Sequence, residues 1–319
     1  MFVPILAART GWHTDQLTRA IEARGHRTAV LPFDALVARL GAFPREAGSA
    51  EREVGEGGEG GADRGGRAPR SALAVEAHDL LRADAVLVRI IPAGSLEQII
   101  YRVDALHWLE DLGVPVMNPP RAIERTVDKF YTSALLQRVG LATPETVVCE
   151  HAEDALAAFR EMGDVIVKPL FGSMGLGMVR VSDEEIAWRV FRALDAIRGV
   201  YYLQRAIAHD GCDVRAFVVG GRVIGAIERR APGWRTNISR GGAARPVTLS
   251  PEWEAMAVRA ARAVGAEYAG VDLLPARDGT VYVLEVNGIP GWRGLQEASS
   301  IDVATAIVGH LLDARCSSP

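Results

Sequence analysis

Lysine is nearly missing from this chain of 319 residues: Lys129 and Lys168 stand against 34 arginines, the remainder of its 36 basic residues. A cationic surface built on lysine is thereby excluded. The two exceptions sit where a compact, strongly hydrated ammonium can reach a phosphate oxygen and a broad guanidinium fork serves less well. Cysteine is also scarce. Cys149, Cys212 and Cys316 are odd in number and lack C-x-x-C or zinc-type spacing, which excludes a disulfide framework and predicts thiols in a reducing, cytoplasmic setting. No apolar run reaches the roughly 18 residues that would mark a membrane-crossing helix. The apolar start from Phe2 to Ala8 ends at Arg9 and has neither the basic lead nor the cleavage site of a signal peptide. An excess of positive charge is missing as well, and a net charge of -4 argues against broad affinity for nucleic acid or a membrane.

What is present describes a soluble globular protein, with 49% hydrophobic and 24% charged residues and enough chain for two or three modules. Periodicity predicts an α/β beginning: a strand from Phe2 to Ala8, a helix from Thr14 to Arg24 stopped by Gly25, and a strand from Thr28 to Phe33. Between about 46 and 70 the composition shifts to Gly, Glu, Arg and Asp. Such a segment cannot offset its own ordering entropy, so a disordered surface insertion is expected there. Order resumes with a strand at Ala85 to Ile90, a helix at Leu96 to Leu112 and a strand at Val114 to Asn118, which closes a first module near residue 120.

A second module, 121–200, is expected to begin with a helix from about Thr126 to Val139. Strands follow at Glu145 to Cys149, Val165 to Leu170 and Met178 to Val181, with helices at Ala152 to Glu161 and Asp183 to Ile197. A third module, 201–319, is expected to be rich in strands: Tyr201 to Ala206, Asp213 to Val219, Arg222 to Arg229, Tyr268 to Leu274 and Thr280 to Val286. Helices are expected at Pro251 to Val264 and Ile301 to Leu312.

Lys168 ends the apolar run Val165-Ile166-Val167, and Gly172, Ser173, Gly175 and Gly177 follow it. A strand, a lysine and a glycine-rich flap together suggest a nucleotide's phosphates, whereas the glycines alone would be weak evidence. Lys129 by itself reads as a solvated helix charge, and only the scarcity of lysine raises it above that. Gln204 could read an adenine edge or be an ordinary strand residue. Asp278-Gly279 marks a two-residue turn, which places Asp272 directly opposite Glu285 and puts Asn287 on the same face. Two carboxylates and a carboxamide on one face of apolar strands point to magnesium or manganese, since like charges directly opposed need a cation between them. The plainer reading is a pair of solvated acids on an exposed sheet face. Asp213 and Arg215 alternate onto one face, where they could form a surface ion pair, and Arg230, Arg235, Thr236 and Asn237 lie in an arginine- and glycine-rich stretch suited to anions.

Gly211-Cys212-Asp213-Val214-Arg215, Glu228-Arg229-Arg230, Arg235-Thr236-Asn237, Arg240-Gly241-Gly242, Gly270-Val271-Asp272 and Leu284-Glu285-Val286-Asn287 resemble ATP-grasp ligases of the RimK type, the α-L-glutamate ligases. The resemblance runs from about Met117 to the C-terminus. It implies α+β lobes that clasp ATP behind an N-terminal Rossmann-like domain. It also implies that Lys129, Lys168, Gln204, Arg205, Asp213 and Arg235 to Asn237 contact ATP, and that Asp272, Glu285 and Asn287 hold two magnesium or manganese ions. Gln204 and Arg205 replace the family's acidic residue and tyrosine beside the adenine, so contacts there are expected through the backbone.

The expected chemistry is formation of an acyl phosphate on an acceptor carboxylate, followed by attack of the amine of L-glutamate. Arg230 and Arg235 are the candidates for steadying the acyl phosphate. Gly291-Trp292-Arg293-Gly294-Leu295 is similar to endings in relatives that glutamylate C1-carrier coenzymes, which places tetrahydromethanopterin- or methylofuran-like acceptors among the leading options. A ribosomal-protein acceptor, a kinase and an ATP-binding regulator without turnover stay open, and a homo-oligomer is compatible with the chain.

Overall fold

The computed structural model describes residues 1–41, 72–172, 175–231, 233 and 243–316. The glycine-rich insertion expected at about 46–70 lies outside the described residues.

The N-terminal module contains β1 (Ile5–Ala7), α1 (Trp12–Glu22), β2 (Val30–Pro32), β3 (Leu36–Arg39), β4 (Ala72–Val75), β5 (His78–Asp79), β6 (Val86–Val88), α2 (Leu96–Asp111) and β7 (Val116–Met117). Four strands form a parallel sheet in the order β2-β1-β6-β7, as alternating strands and helices require. A small antiparallel sheet, β3-β4-β5, stands at the two ends of segment 42–71. It was not expected from the sequence, because each strand has only two to four residues.

The single helix expected from Thr126 to Val139 is two: α3 (Pro120–Val127) and α4 (Lys129–Arg138). Asp128 separates them. Its extended backbone ends the first helix, and its side chain accepts a hydrogen bond from Tyr131 N at 3.0 Å as the cap of the second. Lys129 is thus the first residue of a helix, turned toward the glycine flap.

The second sheet is antiparallel, in the order β10-β9-β11-β8, and is built from β8 (Thr146–Cys149), β9 (Val165–Lys168), β10 (Val179–Val181) and β11 (Tyr201–Arg205), with α5 (Ala152–Met162) and α6 (Glu184–Ala196) packed on it. Both expected boundaries of this module are corrected. Strand β11 lies between β8 and β9 rather than in the third module, and α4 packs on the third module, where Leu135 and Leu136 join its core.

The third sheet, β14-β13-β12-β15-β16, contains β12 (Cys212–Val219), β13 (Arg222–Arg230), β14 (Ala243–Pro246), β15 (Tyr268–Pro275) and β16 (Val281–Asn287), with α7 (Pro251–Val264), α8 (Arg293–Ala298) and α9 (Val303–Cys316) completing the chain. Ser250 caps α7, Pro251 opens it, and Gly265 in the left-handed conformation ends it, a sequence-readable start and stop.

This sheet and the N-terminal module share one core, in which Val3, Ile5 and Leu17 meet Phe217, Trp292 and Ile307. Asn118 locks the junction. Its Nδ2 donates to Tyr268 O at 2.7 Å and to Gly288 O, and its Oδ1 accepts from Glu267 N at 2.8 Å and Tyr268 N at 3.0 Å.

Candidate active site

Between the second and third sheets lies a cleft whose lining includes both lysines of the chain, together with Gly172, Gly175, Gln204, Arg205, Asp213, Asp272 and Glu285. Lys168, at the end of β9, is buried and donates to Gln204 Oε1 at 2.5 Å. Burial pushes its ammonium down to about 8, against the pull of Glu285 and Asp272, and the charge of Lys129 adds to the depression. Lys129 Nζ donates to Gly172 O at 2.9 Å and Leu170 O at 3.2 Å, so the second lysine holds the first residues of the flap.

Gln204 is committed to this arrangement rather than exposed to a ligand. Its Oε1 serves Lys168 and its Nε2 donates to Thr146 Oγ1 at 3.1 Å, which leaves the amide little capacity for an adenine edge. Arg205 pairs with Glu145 at 2.6 Å and donates to Met162 O at 2.9 Å. Both side chains are thus engaged within the protein, and Arg205, Ala206 and Ile207 line the cleft at this rim.

Asp272 and Glu285 are directly opposite, as the sequence indicated, although the turn differs from the expected one. Ala276 N bonds Thr280 O and Gly279 N bonds Ala276 O, so the loop is Arg277-Asp278-Gly279, with Gly279 at φ +87°. The third loop residue shifts the register by one near the turn. An irregularity at Leu284, between Val283 and Glu285, shifts it back.

Asn287 Nδ2 donates to Glu285 Oε1 at 2.7 Å, and Asp272 is paired across the ladder with Glu285, so the three expected metal ligands are neighbours. A cation already stands among them. The Arg215 guanidinium binds both oxygens of Asp272, at 2.6 and 2.7 Å, and lies 3.7 Å from Glu285. That guanidinium meets the need for a cation between the opposed acids, and the donor set itself, oxygen without thiolate or imidazole, is of the kind that fits a hard divalent ion.

Asp213 is not the surface ion pair that its spacing from Arg215 allowed. It is buried and held by Arg229 through two hydrogen bonds of 2.7 and 2.6 Å, and Arg229 also reaches Asp272 at 2.9 Å. Burial opposes ionisation of Asp272, but the guanidiniums of Arg215 and Arg229 outweigh it and hold the carboxyl below its ordinary range.

Arg230, one of two arginines expected at the reacting group, is not on the cleft face. It is exposed and donates to Glu228 at 3.1 Å, a carboxylate that Arg245 also binds at 2.9 Å. The cause is a bulge at Ile224. Gly220-Gly221 forms the expected two-residue turn, with φ of +56° and +71°, but the extra residue shifts β13 so that Arg229, not Glu228, opposes Asp213. Arg229 was therefore missed as a site residue, since no residue type in the sequence marks the bulge. Ser173, Arg235, Thr236 and Asn237 lie outside the described residues.

A model of the RimK-like ATP-grasp domain matches residues 126–311. The chain belongs to the RimK-like ATP-grasp family. It is 39% identical over 257 residues to the tetrahydromethanopterin:α-L-glutamate ligase of Methanosarcina acetivorans, covering 72% of this chain and 79% of that relative. A probable α-L-glutamate ligase of Trichodesmium erythraeum is 35% identical over 227 residues, covering 70% and 76% of the two chains. Among solved ATP-grasp structures, the RimK domain protein of Sphaerobacter thermophilus superposes with a TM-score of 0.71 at 22% identity over 97% of this chain and 99% of its own. The ATP-grasp ligase PsnB, complexed with a minimal precursor, gives 0.70 at 23% identity over 98% of both chains. The ATP-grasp fold expected from sequence is thus the fold found, with the Rossmann-like module in front of it.

Proposed function

We propose that this protein is an ATP-dependent α-L-glutamate ligase that joins glutamate to a carboxylate of a small coenzyme. The observation that carries the reading is the meeting of the only two lysines with Asp272 and Glu285 across one cleft, in a chain 35–39% identical to three tetrahydromethanopterin:α-L-glutamate ligases. An acceptor oxygen attacks the γ-phosphorus of ATP, a new P–O bond forms and ADP leaves. The amine of glutamate then attacks the acyl carbon, a C–N bond forms, and phosphate departs as the amine gives up a proton.

Lys168 and Lys129 supply positive charge for the phosphates, and the flap glycines allow backbone N–H groups to approach closely. Asp272, Glu285 and Asn287 would hold two magnesium ions, for which manganese can substitute. When bound, those ions neutralise phosphate charge. Arg215 and Arg229 keep Asp272 ionised and oriented. The neighbour PsnB has been solved with Mg and ADP, which supports the same pairing here.

The test is incubation of the purified protein with ATP, magnesium, isotopically labelled L-glutamate and tetrahydromethanopterin, followed by mass measurement. A coenzyme heavier by one or more glutamyl residues is expected, with ADP and phosphate released in step. Label appearing only in material of protein mass, or a stable phosphorylated acceptor without an amide, would reject the coenzyme ligase.

A further inference from the structure

The cleft chemistry leaves one arginine unused where the N-terminal module meets the segment after β16. Arg89 follows β6 at the carboxyl end of the parallel sheet, and its guanidinium lies over the ring of Trp292, 5.2 Å from the centroid. Its Nη1 donates to Ile289 O at a long 3.4 Å, and its Nε has no partner. Burial lowers its pKa, and among the described residues no carboxylate pairs with it. Partly buried Arg215 and buried Arg229, by contrast, each hold two carboxylates. A half-buried guanidinium without a counter-charge is costly, and a carboxylate presented edge-on to its fork relieves that cost.

The surroundings are built rather than incidental. Trp292 is 1% exposed and its Nε1 has no partner. The backbone N–H of Trp292 donates to His13 Nε2 at 3.2 Å, and the two rings meet edge to face at 4.5 Å. Burial, then the charges of Arg89 and Arg293, push His13 down to about 4, so its ring is neutral near pH 7 and serves as an acceptor that fixes Trp292. Arg293 is satisfied by Glu297 at 2.7 Å, which leaves Arg89 as the unmatched charge. Open α/β sheets bind ligands at the carboxyl ends of their strands, which is where Arg89 stands. Ile289 is two residues beyond Asn287, roughly 7 Å of extended chain from the metal face.

We propose that Arg89, supported by Trp292, binds a carboxylate that does not react, and so holds a substrate with its reacting group toward Asp272 and Glu285. The inference rests on the ligase reading and names a subsite within it. The carboxylate belongs to L-glutamate, at its α or its γ position, or to the acceptor.

The experiment compares wild type with Arg89→Met and Arg89→Lys, using L-glutamate, L-glutamine and L-isoglutamine as amine substrates and tetrahydromethanopterin as acceptor. Wild type is expected to prefer glutamate over one of the amides by on the order of 100-fold in kcat/KM, because a site built for a charged partner rejects its neutral analogue. Arg89→Met should bring that ratio to within about threefold of one, with the KM for ATP unchanged. Collapse of the glutamine ratio assigns the γ-carboxylate, and collapse of the isoglutamine ratio the α-carboxylate. Both ratios holding while the KM for tetrahydromethanopterin rises about tenfold assigns the acceptor.

Uniform loss with all ratios preserved, or no change at all, overturns the proposal, since a purely structural arginine does not distinguish a carboxylate from its amide. If Arg89→Met does not fold, Arg89→Lys reads the same ratios without the fork. If wild type forms no glutamylated product, the ligase reading falls separately. Calorimetric titration with L-glutamate and glutarate then decides: binding lost in Arg89→Met supports the anion site, and equal binding, or none to either protein, overturns it.

Discussion

Arg229 on β13 reaches across β12 to Asp272 on β15 and contacts its carboxylate at 2.9 Å, with Asp213 bound to the same guanidinium at 2.6 Å. The arrangement links three strands beneath the cleft floor and leaves no member unpaired. Arg229→Met would take the guanidinium away from buried Asp213 and leave Asp272 to Arg215, so it is expected to destabilise the protein by about 3 kcal/mol in urea unfolding. A loss below about 1 kcal/mol would mean that the network does not support the floor.

Asp272 has a structural duty as well as a proposed metal duty, which makes its alanine variant a poor test of the ions. Asp272→Asn and Glu285→Gln keep the shape and remove one charge each. ATP turnover with glutamate and acceptor should fall by on the order of 100-fold or more in both, and the magnesium concentration for half-maximal rate should rise. Glu285 is the cleaner site, since it is half-exposed and is not bound through two hydrogen bonds as Asp272 is. Turnover of Glu285→Gln at the wild-type rate would remove the metal assignment.

Lys168 loses its proton near pH 8 in the unliganded protein, against an ordinary 10.5. The unfolded chain therefore holds the proton more tightly, and stability of the unliganded protein should rise as pH climbs from 8 to 10.5. ATP affinity should move the opposite way, weakening by up to about tenfold per pH unit above 8, because phosphate prefers the ammonium. Lys168→Met should bind ATP more weakly at neutral pH and lose that dependence. Binding measured by titration between pH 7 and 10 checks both limbs.

Asn118 makes four hydrogen bonds to backbone groups at the start of β15 and just past the end of β16, the strands that carry Asp272 and Glu285. Asn118→Ala leaves those groups without their buried partner, and about 2–4 kcal/mol of stability should be lost. Asn118→Asp should be worse still, since a carboxylate would face the Tyr268 and Gly288 carbonyls. Thermal unfolding of the two variants gives the order.

The chemistry of the cleft was readable from residue types. Two lysines retained among 34 arginines meet in one cleft, and the opposed Asp272 and Glu285 follow from strand parity and a Gly-marked turn. Local geometry was less readable, because it depends on single extra residues that no composition announces. The Leu284 irregularity and the three-residue loop each shift the register by one and cancel, so the pairing was reached although the turn was not. On β13 nothing cancels the Ile224 bulge, and Arg229 replaces Arg230 on the working face. Asp128 was hidden inside a helix-like pattern, and Asn118 and Arg89 act through contacts with residues 150 and 200 positions away.

The apolar cluster beneath the second sheet is drawn from that sheet and its helices α5 and α6 alone, whereas the N-terminal module and the third sheet meet in common packing sealed by Asn118. Across the cleft the hydrogen bonds of Lys129 to the flap and of Ser133 to Tyr202 are polar and few. Displacing the sheet that carries Lys168 would forfeit mainly exchangeable hydrogen bonds, while parting the N-terminal module from the third sheet would open a shared oily interior, so the first displacement is expected to cost less.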